Sequence, residues 1–227
     1  MSSNSSALKM ILFLGTYREN RVGIRVANFM KKQMEARGYE VLFFDAEKME
    51  FPILKKPVHF YKDSNDLPKD LKTAASQIKD ADAYVMVTGE YNHSIPPGLA
   101  NMLNYFPGSI YSYKPSGIVC YSPGIYGGMR AAIQLRSLTA EIGCLSVSNI
   151  FGIPQVHKAI DEEGNPIDDH MEKGAKKMLD QLEWHATAMK NHRAAVGSPS
   201  RFHTWPVLCV ENSNLIVFIG YQLFIFM

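Results

Sequence analysis

Short apolar blocks that do not alternate set the tightest limit on what this chain can fold into. Met10-Ile11-Leu12-Phe13-Leu14 is one, closed by Gly15, and Ala83-Tyr84-Val85-Met86-Val87 is another. A strand with one wet face alternates apolar and polar residues, whereas a strand covered on both faces reads as one continuous run. These blocks therefore read as strands of a parallel sheet between layers of helix. Val41-Leu42-Phe43-Phe44, Ser116-Gly117-Ile118-Val119-Cys120-Tyr121 and a last run near Leu145-Ser146-Val147 extend the series.

Amphipathic segments lie between the blocks. Val22 to Arg37 carries Val22, Val26, Phe29, Met30 and Met34 at helical spacing, and Gly38 is a stop. Lys69 to Lys79, Leu99 to Phe106, Gly128 to Ile142 and Asp168 to His192 read as helices too, the last with Met171, Ala175, Met178, Leu179, Leu182 and Met189 inward. From Met49 to Pro68 the prolines Pro52, Pro57 and Pro68 break the pattern, which predicts a long loop able to cover a site. Strands that alternate with helices give an α/β fold with right-handed crossovers. Five strands fit a flavodoxin-like three-layer sandwich, a five-stranded parallel sheet in the order 2-1-3-4-5 with helices on both faces.

Composition narrows the function. A net charge of +2 points to neither nucleic acid nor an acidic membrane surface. Three cysteines, Cys120, Cys144 and Cys209, show no short paired spacing, which argues against a disulfide framework and a zinc site. Met1 to Ala7 is polar and no secretory signal, so a reducing, cytoplasmic setting is expected. Residues 1–195 are expected to form the domain and 196–227 an atypical apolar tail. Val196-Gly197-Ser198-Pro199-Ser200 reads as a linker. The run Leu215–Met227 has thirteen residues, short of the roughly 20 that span a bilayer as a helix. A weak anchor, an added strand or interface element, and a non-homologous end from splicing or a mistaken gene model all stay open, the last favoured.

Three loops at the carboxyl ends of strands carry the chemistry, because that edge of an open α/β sheet is where ligands bind. Gly15-Thr16-Tyr17-Arg18-Glu19-Asn20-Arg21-Val22-Gly23 leads into a helix N-terminus, whose free N–H groups and dipole favour a phosphate. The loop lacks the Gly-Lys-Ser/Thr ending of a Walker A loop and is not Gly-x-Gly-x-x-Gly. Thr88-Gly89-Glu90-Tyr91-Asn92-His93-Ser94-Ile95-Pro96-Pro97-Gly98-Leu99 is stiffened by its two prolines and suits a flat heterocycle. In Ser122-Pro123-Gly124-Ile125-Tyr126-Gly127-Gly128-Met129-Arg130 the glycines let the backbone approach a ligand closely. Taken singly, each loop also fits ordinary turn chemistry, with His93 as a solvent-facing histidine.

Together, the Gly-Thr-Tyr-Arg loop, the Gly-Glu-Tyr-Asn-His-Ser-Ile-Pro stretch and the Ser-Pro-Gly-x-Tyr-Gly-Gly loop resemble the NAD(P)H-dependent FMN reductase family, the flavodoxin-like group of chromate, azo and quinone reductases. The resemblance runs from about Met10 to His192. It implies an FMN-dependent NAD(P)H oxidoreductase: hydride passes from NADPH or NADH to bound FMN, then in a ping-pong cycle to a quinone, free flavin, azo compound or metal oxyanion. It implies FMN phosphate contacts at Thr16, Arg18, Asn20, Arg21, Val22 and Gly23, although the family often has a serine where Asn20, Arg21 or Val22 stands. Glu90, Tyr91, Asn92 and His93 would lie along the ring and ribityl group, and Ser122, Gly124, Tyr126, Gly127 and Gly128 at the pyrimidine end. It implies a homodimer or homotetramer, no metal, no nucleic acid, and no side chain required as a nucleophile or acid.

Two other readings stay on the table. A flavodoxin-type electron carrier or flavin sensor would not turn over by itself; the near-neutral charge disfavours it. A Rossmann dehydrogenase would use Asp45 for a ribose, but the missing Gly-x-Gly-x-x-Gly speaks against that.

Overall fold

The computed structural model describes residues 7–63, 65–199, 207–211, 214–219 and 222–225, and the chain divides into two compact units, Met1–Ala195 and Val196–Met227. In the first unit the elements run β1 (Lys9–Leu14), α1 (Gly23–Glu35), β2 (Glu40–Asp45), α2 (Ala46–Met49), α3 (Lys69–Asp80), β3 (Ala83–Gly89), α4 (Pro97–Asn104), α5 (Gly108–Tyr111), β4 (Ser116–Tyr121), α6 (Met129–Glu141), β5 (Ser146–Ile153), α7 (Val156–Ala159) and α8 (Asp169–Val196). The five strands pair in parallel in the order β2-β1-β3-β4-β5.

The unbroken apolar blocks are explained by two cores. Met10, Leu12, Leu14, Val85 and Val87 face α1 and α8, meeting Val26, Phe29, Met30, Met178 and Leu182. Their chain neighbours Ile11, Phe13, Tyr84 and Met86 face the other way, toward Leu71 and Ile78 of α3, Leu99 and Met102 of α4, and Leu135 of α6. Successive side chains of a strand point to opposite faces, so a strand buried on both has no polar position. Strand β5 departs from this rule. It runs on to Ile153, beyond the expected Val147, with buried and exposed positions interspersed. It is the edge of the sheet, so its far half lacks the continuous apolar run that marks the central strands.

Other differences are small. Gly128 is the left-handed N-cap of α6, not its first residue, and α8 continues past His192 to Val196. The proline-broken stretch begins where α2 ends and carries a 3-10 turn at Val58–Phe60. It is strapped to α4: the Asn101 side chain accepts from Leu54 N (2.9 Å) and donates to the Pro52 carbonyl (2.9 Å), and the Tyr105 hydroxyl also donates to that carbonyl (2.9 Å). Between strap and helix lies a mostly apolar cavity of about 1020 Å³, lined by Tyr17, Phe51, Leu54, His59 and Met102 among others.

At the opposite edge of the sheet, Lys114 is buried and its ammonium donates to the carbonyls of Ile78 (2.8 Å), Lys79 (2.5 Å) and Ile110 (3.0 Å). The first two are orphan carbonyls at the C-terminus of α3. Burial, with help from nearby Arg193, lowers its pKa to about 8 from the ordinary 10.5. Between those two values the unfolded chain holds more protons than the folded one, so this group makes stability rise with pH across that window and withholds the gain below it. Urea melts at pH 8 and pH 10 are expected to show this as a difference between wild type and Lys114→Met: the variant loses the upward slope.

The second unit is an antiparallel sheet, β6 (Val207–Glu211), β7 (Asn214–Ile219) and β8 (Gln222–Ile225). Nine of the thirteen residues of the run Leu215–Met227 lie in these strands. The Ser-rich start at Met1–Ser6 and, in the tail, residues 200–206, 212–213, 220–221 and 226–227 lie outside the described residues. Among the described residues no helix is long and apolar enough to cross a membrane, and no cluster of side chains could hold a metal. Cys120 and Cys144 are buried, and burial pushes the Cys120 thiol up to about 12.

Candidate functional site

The strand order places the ends of β1, β3 and β4 side by side. Leu14 pairs with Val87, and Gly89 with Tyr121. The chain leaves β1 toward β2 and returns on its other side as β3, so the three loops meet at the point where the order reverses.

The first loop is held at its root and open at its crest. Gly15 N donates to Val87 O (3.2 Å), and a Cβ on Gly15 would lie 2.2 Å from Leu99 Cβ, so only glycine lets α4 pack there. Thr16 is 2% exposed and its hydroxyl is hydrogen-bonded to the Tyr91 hydroxyl. The amides of Tyr17, Arg18, Glu19, Asn20, Val22 and Gly23 find no acceptor among the described residues. The Arg18 guanidinium lies 3.7 Å over the Tyr91 ring, a cation–π contact that parks its charge above the loop. Free amides, a helix N-terminus and a fixed cation together make an anion cradle.

Arg21 takes a different role from its neighbours. Its guanidinium is bonded to both Asp45 oxygens, reaches Glu47 (2.5 Å) and donates to Thr16 O (2.9 Å). Its side chain is 7% exposed and that of Asp45 2%. Burial opposes the charge on Arg21, but the hydrogen bond and charge of Asp45 outweigh it and hold the guanidinium more firmly protonated than usual. Arg21 thus ties the two ends of the loop together and anchors them to the end of β2. Asp45 also caps α2, accepting from Glu47 N (3.2 Å).

The second loop is a tight hairpin. Tyr91 and Ser94 exchange both backbone bonds (3.0 and 2.9 Å), with Asn92 at φ 50° and His93 at φ 63° between them. Positive φ at both central residues is the mark of a type I′ turn, which Asn tolerates and His does not favour. Gln134 of α6 holds the tip: its amide donates to His93 O (2.9 Å) and its oxygen accepts from the Ser94 hydroxyl (2.8 Å). Asn92 and His93 are therefore exposed at the tip, while Tyr91 turns inward to Thr16 and Arg18.

Glu90 crosses to the third loop. It accepts from the Arg130 guanidinium (2.9 Å) and from the first amides of α6, Arg130 N (3.0 Å) and Ala131 N (3.4 Å). Burial raises its carboxyl, but those donors overcome it and leave the group below its usual range. In the third loop Gly127 (φ +60°) and Gly128 (φ +80°) are conformationally required; a Cβ on Gly128 would meet the Tyr121 carbonyl oxygen at 2.7 Å. Gly124 has open space around it, so its role is not one of geometry. Ser122 donates to Gly124 O (3.1 Å), and Tyr126 is exposed beneath the Arg130 guanidinium (4.5 Å).

The structure thus brings together Thr16, Arg18, Glu90 and Tyr91, with Gly127 and Gly128 behind them, and turns Arg21 toward Asp45. Sequence reasoning missed Arg130, Gln134 and Tyr121. One signal was readable: Arg130 puts a cation in the first turn of a helix, where the dipole disfavours it unless a carboxylate stands by.

Residues 8–158 match the model of the NADPH-dependent FMN reductase family. A quinone reductase of Escherichia coli (strain K12) is 28% identical over 145 residues, covering 59% of this chain and 70% of its own. A 2-hydroxy-1,4-benzoquinone reductase of a Burkholderia species is 25% identical over 181 residues, covering 77% of this chain and 94% of its own. Among solved structures, the flavoenzyme NAD(P)H:(acceptor) oxidoreductase FerB of Paracoccus denitrificans superposes with a TM-score of 0.64 at 21% identity, over 82% of this chain and 99% of that one, a likeness of fold. With a family model matched across all three loops of the cradle, the chain belongs to the NADPH-dependent FMN reductase family and is an oxidoreductase.

Proposed function

We propose that this protein holds FMN across the three loops and reduces quinones with NADPH or NADH in a ping-pong cycle. The observation that carries the reading is the run of loop amides at Tyr17, Arg18, Glu19, Asn20, Val22 and Gly23, which find no acceptor among the described residues and lead into α1 beside Arg18. These groups fit a phosphomonoester: several N–H donors, a helix dipole and one cation for a dianion. FMN, when bound, would supply the hydride-transfer chemistry between a nicotinamide and an acceptor.

The chain's own residues bind and orient. The first loop grips the phosphate through Tyr17 to Gly23 amides and Arg18, while Arg21 keeps its shape from behind. Tyr91 and the Gly127-Gly128 turn are the walls assigned to the flat ring. Glu90 locks one wall to the other through α6. Quinones are the acceptor class favoured here because relatives from Escherichia coli and Burkholderia are named as quinone reductases. The exposed apolar side chains Ile125, Tyr126, Met129 and Ile133 beside the site support a homodimer or homotetramer, and the buried Cys120 thiol suits the cytoplasm.

Two measurements test this. Anaerobic NADPH addition to the FMN-loaded protein is expected to bleach its visible absorbance, and a quinone to restore it; FMN binding without bleaching would make the protein an electron carrier instead. Arg18→Ala is expected to weaken FMN by about 1–3 kcal/mol, the range for a hydrogen bond to a charged group. Equal affinity in titrations of the two proteins would move the phosphate elsewhere.

A further inference from the structure

We propose that Tyr121 is a positioning residue for the anion end of the site: its phenol, lying between Gly23, Gly89 and Thr16, holds the Thr16–Tyr91 hydroxyl pair beside the amides of the loop that leads into α1. The proposal rests on the phosphate reading given above and names a residue that reading does not use.

Tyr121 is the last residue of β4 and is 6% exposed. Its side chain runs toward β1, past the end of β3. A Cβ on Gly89 would lie 3.1 Å from the phenol oxygen, and one on Gly23 would lie 2.1 Å from it and 2.8 Å from Thr16 Cγ2. Neither glycine has a positive φ. Conformational freedom therefore does not explain them; the passage of the phenol does. Two backbone positions, the end of β3 and the start of α1, lack a side chain where this one hydroxyl sits.

The hydroxyl lands where the cradle lacks side-chain donors of its own. Arg21 is bound to Asp45, Asn20 stands exposed at φ +48°, and Val22 and Gly23 have no polar side chain. What remains is Thr16, hydrogen-bonded to Tyr91, which carries Arg18 on its ring. Tyr121 and Thr16 both occupy the space that a Cβ on Gly23 would take, so the phenol stands beside the threonine. Burial and the neighbouring Tyr91 drive the Tyr121 phenol far up, more than Thr16, Arg21 and Arg18 pull it down. It stays neutral, and it adds a donor without adding negative charge beside an anion.

The test uses the phosphate as the variable. The full chain is stripped of flavin, and the Kd values of FMN and of riboflavin, which lacks the phosphate, are measured by quenching of flavin fluorescence. Tyr121→Phe is expected to weaken FMN about tenfold, the size of one hydrogen bond at the upper end of its usual range, with riboflavin unchanged within twofold. Gly23→Ala, whose Cβ would evict the phenol from the other side, is expected to give the same FMN-specific loss and keeps the test open if Tyr121→Phe folds poorly. Unchanged FMN affinity in both variants, or equal loss of FMN and riboflavin, overturns the role of Tyr121. If wild type binds FMN no better than riboflavin, the phosphate reading itself fails, which is a separate outcome.

Discussion

Gly128→Ala is expected to lower the unfolding free energy by about 2–4 kcal/mol and to weaken FMN as well. Two costs combine. A side chain at φ +80° in the left-handed region costs about 1–2 kcal/mol. The added Cβ would also meet the carbonyl oxygen, nitrogen and carbonyl carbon of Tyr121 at 2.7, 2.9 and 3.1 Å. Those are backbone atoms of β4, paired to β3 and β5 on both sides, so they cannot yield as a flexible side chain would. The control is Gly124→Ala, whose nearest neighbour would be Ser122 Oγ at 3.8 Å; it should lie within about 0.5 kcal/mol of wild type. Urea denaturation measures both, and equal effects would show that the turn is free to rearrange.

Asp45→Ala should cost about 3–5 kcal/mol, the range for removing one partner of a buried ion pair. The Arg21 guanidinium would be left with an exposed partner, Glu47, in place of two buried carboxylate oxygens. The cap on α2 would go with it. Since Arg21 also donates to Thr16 O, the loop should lose its shape and FMN affinity should fall in parallel. The double variant Arg21→Met/Asp45→Leu is expected to recover much of the stability, because apolar side chains of similar volume avoid the desolvation of two charges. It should not recover FMN affinity, since the tether to Thr16 is still missing. Recovery of both would show that the pair matters only for stability.

The sheet was legible in the blocks themselves. Continuous burial on two faces leaves an unbroken apolar run, and that is a local property of the chain, readable at Met10–Leu14 and Ala83–Val87. Strand β5 was half legible, because an edge strand is not covered in the same way along its length. The three loops were legible as loops at strand ends. Their partition into roles was not. Arg18 and Arg21 lie three residues apart in one basic loop, and nothing local separates them; Asp45, at the end of another strand, decides which is tied down. Asn92 and His93 read as candidate ring contacts, yet the turn type that puts them at an exposed tip is enforced by Gln134 from α6.

Tyr121 shows the limit most plainly. In the sequence it is the last apolar-looking residue of a strand, and Gly23 and Gly89 are two ordinary loop glycines. Only tertiary structure joins the three, because the reason for the two glycines is the hydroxyl of a residue distant from either in the chain. The sequence by itself determined the layers, the strand order and the edge at which a ligand binds, since these follow from hydrophobic periodicity and the handedness of crossovers. Which side chains face that ligand depended on distances between loops. Hydrogen bonds and close contacts act over a few ångströms in space, and spacing along the chain does not report those distances.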